Sequence, residues 1–256
     1  MAPKESHTVR SVDKAMDLIE LLMQNRLPMS LQELSAAAGY PKSTTHALLA
    51  TLRRHEMVRQ AEDGRYDLGI RLFECGCAVS NRWDVTRLAG PYLEKLAVQT
   101  GAGAFLSVLE GDHVISIDQR AGGDGMVVVP ETGSRLPLHA TSQGKLLLSQ
   151  LSDSDSLQRL QRSGLHAYTP HTITDIGQLL HALEIVRQKG YAIEDGEYKI
   201  GLRSVAAPVF DRSGQIRYAL GAVGLFRRIS SDEFSHAVEQ TVFFAGELSR
   251  ALGSRP

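Results

Sequence analysis

The chain of 256 residues carries 28 Lys and Arg against 29 Asp and Glu, with 43% hydrophobic and 22% charged residues. At about 100–150 residues per domain this length suggests two domains, each able to bury a core. The charge is too sparse and too balanced for a disordered acidic or basic tail protein. Cys75 and Cys77 are separated by one residue, which excludes a disulfide framework and makes a reducing, cytoplasmic compartment the simplest expectation. Residues 1–14 are polar and lack the apolar core of a secretory signal. No apolar run approaches the about 18–20 residues of a membrane span. The near-neutral balance argues, at first, against nucleic acid.

From Ser11 the apolar residues Val12, Ala15, Met16, Ile19, Leu22 and Met23 recur at helical spacing, with Ser11 as a plausible N-cap and Leu27-Pro28 as the stop. Ser30-Leu31-Gln32-Glu33 has the pattern of a capping box and opens a second helix burying Leu31, Leu34 and Ala38. Gly39 ends it, where a left-handed residue is cheap. A third helix is expected from about Lys42 to His55. Thr45, Leu48, Leu49 and Leu52 share one face, and Ser43, His46, Ala47, Ala50, Arg53 and Arg54 the other. Val58, Gln60, Tyr66 and Leu68 then flank an Asp63-Gly64 turn, a strong hairpin signal, with Glu62 expected to face Arg65 across it. Three helices and a hairpin in about 60 residues make a winged helix-turn-helix.

Residues 69–83 read as a connecting helix, with Ile70, Phe73 and Cys77 on one side and Trp83 at its end. A further helix over 84–99 is expected to break or restart near Gly90, because Pro91 follows. Strands at 104–109 and 113–118 flank a Gly111-Asp112 turn, and Met126–Val129 gives a third. Helical patterns return at 141–151, 153–163 and 175–189, the last ended by Gly190. Strands near 191–195, 202–210 and 216–225 follow, and a helix over Ser231–Leu252 closes the pattern. This order indicates an antiparallel sheet with segregated helices, an α+β domain. The resulting division is 1–68 for the DNA-binding domain, 69–83 for the linker helix and 84–256 for the second domain.

In a helix-turn-helix the second helix enters the major groove, so its outer residues must be small or polar. Lys42, Ser43, Thr44 and His46 crowd the start of the third helix, where unpaired amides also favour phosphate. Arg53 and Arg54 would reach flanking phosphates, and Arg59 and Arg65 arm the wing; the bland alternative is a solvated face. Residues 1–70 hold nine basic and nine acidic residues, and 42–65 hold five against three. A local excess of two is small. Each neutralised phosphate adds affinity through counterion release, so the arithmetic favours a dimer or higher oligomer on a pseudo-palindrome.

The chain resembles the IclR family of bacterial transcriptional regulators over nearly its whole length. Ser11-Val12-Asp13-Lys14-Ala15, Gly39-Tyr40-Pro41-Lys42-Ser43-Thr44 and Tyr66-Asp67-Leu68-Gly69 are similar to its DNA-binding half. Leu138-His139-Ala140-Thr141-Ser142-Gln143-Gly144-Lys145 resembles the start of its central effector-domain helix. Gly190-Tyr191-Ala192, Glu197, Gly201, Ser204 and Ala207-Pro208-Val209-Phe210-Asp211 resemble its C-terminal signature. The resemblance implies a homodimer formed through the winged domains, often paired into tetramers, and a GAF-like domain whose small-molecule effector alters operator binding, mostly for repression. Its DNA-reading positions fall on Lys42, Ser43, Thr44, His46 and Ala47. Many members have Arg where Ala47 stands; Ala can touch a thymine methyl but cannot fork onto guanine.

The resemblance also implies an effector pocket lined by Ser142, Gln143, Val128 and Leu136, with polar contacts from Glu194 or Asp195 and from Ser204. Members that bind small keto acids can present two serines on the last strand; this chain has Gly221 and Val223. Space and an apolar wall would replace that donor pair, implying an effector larger or more apolar than a two- or three-carbon keto acid, such as an aromatic acid or derivative. Backbone amides at 140–144 could hold a carboxylate without Lys or Arg.

Two other classes compete. An enzyme acting on a small metabolite in the second domain finds little support: no zinc motif appears among the nine histidines, and His139 beside Thr141 and Ser142 lacks a nucleophile elbow. Gly-rich 121–125 lacks a following Lys-Ser/Thr and reads as a loop, not a phosphate cradle. No cofactor or metal is expected. A redox-sensing regulator would use Cys75 and Cys77, but two residues apart on a helix they point to different faces. The plainer reading is two small residues buried at an interface.

Overall fold

The computed structural model describes residues 9–25, 27–80, 84–122 and 129–254, which form two compact units, Met1–Trp83 and Asp84–Pro256. Trp83 and most of the Met126–Val129 strand expectation lie outside the described residues.

The first unit contains α1 (Arg10–Gln24), α2 (Leu31–Ala38), α3 (Lys42–Arg54), β1 (Val58–Gln60), β2 (Tyr66–Leu68) and α4 (Ile70–Ser80). Its small core gathers Leu18, Leu22, Met29, Leu34, Leu49, Val58 and Tyr66. The Ser30 box forms in full: Ser30 Oγ accepts the Glu33 amide at 3.2 Å and Glu33 returns a carboxylate to the Ser30 amide at 2.7 Å. Gly39 takes φ +69° and closes α2. Ser35 then donates to the Tyr40 carbonyl at 2.6 Å, and the Tyr40 hydroxyl donates to Asp17 on α1, so the turn is tied at both ends.

Three expectations fail here. Ser11 is inside α1, whose N-cap is Val9 without a side-chain cap bond. The buried stripe of α1 is Leu18, Ile19 and Leu22, while Val12, Met16 and Met23 are exposed. Helical spacing alone could not distinguish these two apolar stripes. Glu62 is not the recorded partner of Arg65, which turns instead to Glu33 (2.9 Å), Asp63 (3.9 Å) and the Pro28 carbonyl (3.1 Å).

The second unit begins with α5 (Asp84–Thr100) and continues through β3 (Gly103–Glu110), β4 (His113–Arg120), β5 (Arg135–Leu136), α6 (Ser142–Ser149), α7 (Asp153–Ser163), α8 (Ile176–Lys189), β6 (Ala192–Asp195), β7 (Arg203–Phe210), β8 (Ile216–Gly224) and α9 (Asp232–Ala251). Six strands pair in the order β5-β4-β3-β8-β7-β6, antiparallel throughout. One face packs under α5 and α9 through Leu93, Leu96, Phe234 and Leu248, with Leu106, Val205 and Leu220 from the strands. The other packs under α6 and α8 through Leu146, Leu148, Leu179 and Leu183, with Phe105, Ala206 and Ala219. Both faces being covered explains why the central strands read as continuous apolar runs.

α5 does not break at Pro91. Proline removes one helix bond and crowds the preceding turn, at about 3 kcal/mol. Full burial of Ala89, Leu93 and Leu96 against the sheet offsets this.

Candidate nucleic-acid interface and ligand site

The outer face of α3 is open: Lys42, Ser43, His46, Ala47, Ala50, Arg53 and Arg54 are exposed and Thr44 is half-buried. Thr45 and Leu49 anchor the inner face with no exposed surface. Thr45 Oγ1 donates back to the Pro41 carbonyl at 3.2 Å, setting the first turn of the helix. The four arginines differ in their commitments. Arg53 donates to Gln60 Oε1 at 2.5 Å, and Arg59 grips Asp67 across the wing at 2.5 Å. The hydrogen bond from Arg59 holds Asp67 below the usual carboxylate range despite partial burial. Arg65 is committed to Glu33. Lys42 and Arg54 have no ion pair among the described residues. The helix offers two uncommitted cations, and the wing pre-positions its own.

In the second unit α6 is buried on every side, from Ser142 to Ser149. Gly144 permits this: a Cβ there would sit 2.3 Å from the Leu138 carbonyl oxygen. At the head of α6, Thr141 Oγ1 accepts the Gly144 amide at 3.1 Å and the Thr141 carbonyl accepts Lys145. The Ser142 and Gln143 amides therefore remain the ones without an acceptor in the helix.

Beneath this helix start runs a buried polar chain across three elements. Ser204 Oγ on β7 donates to Glu194 Oε2 on β6 at 3.1 Å, and Ser142 Oγ lies 2.8 Å from Ser204 Oγ. With Ser204's hydrogen on Glu194, Ser142 donates to Ser204 or to Gln143 Oε1 at 3.2 Å. Glu194 Oε1 also accepts the amides of Glu197 (2.8 Å) and Tyr198 (3.2 Å). Burial nonetheless outweighs these bonds and pushes Glu194 up to about 7. Asp195, its neighbour on the strand, belongs to the other face and pairs with Arg203 at 2.6 Å.

Leu136 is buried against Phe105 and Val114, and Val223 joins the same core. Gly221 does not leave space. Phe105 is its register partner on β3, and the ring's Cζ lies 2.3 Å from where a Cβ at 221 would be. The open volume expected from the missing side chain is filled by an aromatic wall. Val128 lies outside the described residues.

One feature escaped the sequence reading as a unit. Lys145 and Glu197 form a buried pair at 2.5 Å, and Thr169 and Thr172 hydroxyls hold the carbonyls of Gly196 and Glu197. Removing one member of such a pair costs about 3–5 kcal/mol, because the other charge stays buried. The pair locks the turn after β6 to α6 and so fixes the approach of Glu194.

His139 Nε2 meets the His166 carbonyl at 3.0 Å, Thr141 Oγ1 donates to the Pro137 carbonyl and Ser142 Oγ lies against Ser204 Oγ, so neither the Thr141 nor the Ser142 hydroxyl is paired with the imidazole. No cluster of three metal-ligating side chains occurs among the described residues. Cys75 is exposed and Cys77 half-buried in the single chain, both free thiols on the continuous helix α4. No helix among the described residues is long and apolar enough to cross a membrane.

A winged helix-turn-helix in one chain with an α+β domain that buries a polar site defines a class: a DNA-binding transcriptional regulator with an effector domain. Comparison with known proteins makes the class specific. Residues 11–62 match the IclR helix-turn-helix domain and 77–250 match the bacterial transcriptional regulator IclR C-terminal domain. The chain is 32% identical to the HTH-type transcriptional regulator XynR of Escherichia coli, over 96% of this chain and 98% of that one. It is 33% identical to the transcriptional repressor IclR of the same organism, over 96% and 90%. Among solved structures, an IclR-type regulator from Alicyclobacillus acidocaldarius superposes with a TM-score of 0.82 at 30% identity, covering 96% of this chain and all of that one. An IclR homologue from Microbacterium hydrocarbonoxydans complexed with 4-hydroxybenzoate shares the fold, with a TM-score of 0.80 at 22% identity over 94% and 99%. The chain belongs to the IclR family. The relatives it matches are transcriptional regulators, not enzymes.

Proposed function

We propose that this protein is a repressor that releases its operator when an organic or aromatic acid enters the second domain, above the Ser142–Ser204–Glu194 chain. That buried chain is the observation that carries the reading. Burying a carboxyl costs several kcal/mol unless it is hydrogen-bonded or protonated, and Glu194, bonded by Ser204 and two amides and shifted toward its protonated form, meets both conditions as a preorganised hydrogen-bonding group. The Ser142 and Gln143 amides suit a ligand carboxylate. Glu194 and Ser204 suit a hydroxyl, and Phe105, Leu136 and Val223 supply an apolar wall. With Phe105 over Gly221, apolarity rather than size is the selective property. The relative bound to 4-hydroxybenzoate is consistent with an aromatic acid as ligand.

On the DNA side, Lys42, Ser43, Thr44, His46 and Ala47 read bases, Arg53 and Arg54 hold phosphate, and Arg59 and Arg65 place the wing. The protein acts as a homodimer, or a pair of dimers, built through the winged units. Val9 at the N-cap of α1, Val12 and Met16 on α1, and Ile70, Phe73 and Val79 on α4 are exposed apolar residues that a partner copy would cover. The domains run 1–68 and 84–256 with 69–83 as the linker that transmits ligand state, and the protein works in the cytoplasm. A thermal-shift screen tests the ligand class: aromatic acids stabilise the protein, and stabilisation only by glyoxylate- or pyruvate-sized acids would refute it.

A further inference from the structure

A half-open cleft of about 190 Å³ lies in the effector unit between the β3–β4 turn, β5, the end of α7 and the turn after β6. Glu194, Ser204 and Ser142 do not line it, so it is separate from the acid site proposed above. Its volume is comparable with the roughly 150 Å³ of a cavity that takes up benzene. Two rings form one wall: Tyr168 and Tyr198 meet edge to face with centroids 5.1 Å apart. Tyr168 is 44% exposed, so its ring is open to an occupant. Pro137, half-buried, adds apolar surface.

The charge of the occupant follows from the polar groups it can reach. His139 Nδ1 and Ser163 Oγ belong to lining residues but are sealed by burial and offer the cleft nothing. Arg135 differs. It is exposed on the edge strand β5, lines the cleft, and has no ion pair among the described residues. Asp112 is the one carboxylate of the lining, and Arg162 answers it at 3.0 Å. The lining therefore keeps one uncompensated positive charge. His113 stands two residues along β4 from Ile115, the register partner of Arg135, so imidazole and guanidinium are diagonal neighbours across the strand pair.

The structure assigns to this cleft a second small-molecule site, which takes a monocyclic aromatic carboxylate: Arg135 donates to the carboxylate while the ring lies against Tyr168 and Tyr198. The parallel N–H groups of a guanidinium match the two oxygens of a carboxylate. A neutral ring would leave the charge unanswered, and an acyclic acid would leave the tyrosine rings uncovered. The assignment does not depend on where the effector acid binds.

Calorimetric titration of the full chain with benzoate, with benzamide (the ring without the charge) and with acetate (the charge without the ring) tests it. The part of each isotherm that Arg135→Gln removes reports the cleft. Benzoate shows such a part, about one equivalent per chain, weakened about tenfold or lost in Arg135→Gln. Benzamide and acetate show none. Tyr168→Ala weakens the same part by about fivefold, as loss of a stacking wall requires, and Tyr168→Phe retains it. Both positions are exposed, and circular dichroism melts verify that the variants are folded. Ser142→Ala, in the acid site, leaves the Arg135-dependent part in place. A benzoate isotherm unchanged in Arg135→Gln, an equal Arg135-dependent part for benzamide or acetate, full retention in Tyr168→Ala, or loss of that part in Ser142→Ala would each overturn the proposal. So would the absence of any benzoate binding at millimolar concentration.

Discussion

Phe105 and Gly221 face each other across β3 and β8, and the ring of Phe105 fills the position that any side chain at 221 would need. The Val205 carbonyl oxygen stands on the other side, 2.2 Å from that position. The effector face therefore closes over an aromatic ring where a small polar donor could otherwise project.

Gly221→Ser places a Cβ against both groups at once. We expect destabilisation of about 1–3 kcal/mol or more, the cost of overpacking a filled core. Phe105→Leu in the same chain recovers part of it. Urea unfolding midpoints measure both; an unchanged midpoint in Gly221→Ser contradicts the packing.

Glu194 gives the second unit a distinctive pH dependence. Its carboxyl is held up to about 7 by burial, against an ordinary 4.5, so the folded protein retains a proton that the unfolded chain releases. The stabilisation is fully present below about pH 4.5 and is lost as pH rises through about 7, a change of about 3 kcal/mol. Subtracting the pH profile of Glu194→Gln from that of the wild type isolates the effect. A difference that rises with pH across this window would reverse the sign.

The cations of the winged unit should separate by their commitments. Arg54→Ala weakens binding to all sequences alike and reduces the salt slope by about one, as expected for a lost phosphate contact. Arg59→Ala also removes a partner of Asp67, so it loosens the wing as well as the DNA contact. His46→Ala relaxes base preference rather than uniform affinity. Mobility shifts at several salt concentrations distinguish the three; an unchanged slope in Arg54→Ala assigns that residue elsewhere.

α4 is the covalent route from the winged unit toward the effector unit. Glu74 sits within it, paired with Arg71 at 2.7 Å. Glu74→Pro breaks the helix, and we expect DNA and effector each still to bind while ligand no longer changes operator affinity. Normal ligand-dependent release in Glu74→Pro would refute this role.

Local chemistry was legible in the sequence; encounters between distant residues were not. The Ser30–Glu33 box, the Asp63-Gly64 turn and the Gly190 stop are each written in a few adjacent residues, and each forms. Pro91 misled because its cost is local while the burial that offsets it comes from the sheet and α9. β5, two residues long, carries too little pattern to be seen. Ser142, Glu194 and Ser204 point to one site only through the family resemblance, since 62 residues separate the bonded serines. The Lys145–Glu197 pair and the Phe105 ring over Gly221 depend on register, which spacing within one strand cannot supply. For α1, two apolar stripes were present, and only packing decides which is buried.

The most direct test is a mobility shift on promoter DNA of the operon adjoining the gene, with that operon's substrates added, for the wild type and for Ser204→Ala. The account predicts a shifted complex that an organic or aromatic acid dissolves in the wild type and fails to dissolve in Ser204→Ala. Equal release in both proteins, or release by none of the acids, would contradict it.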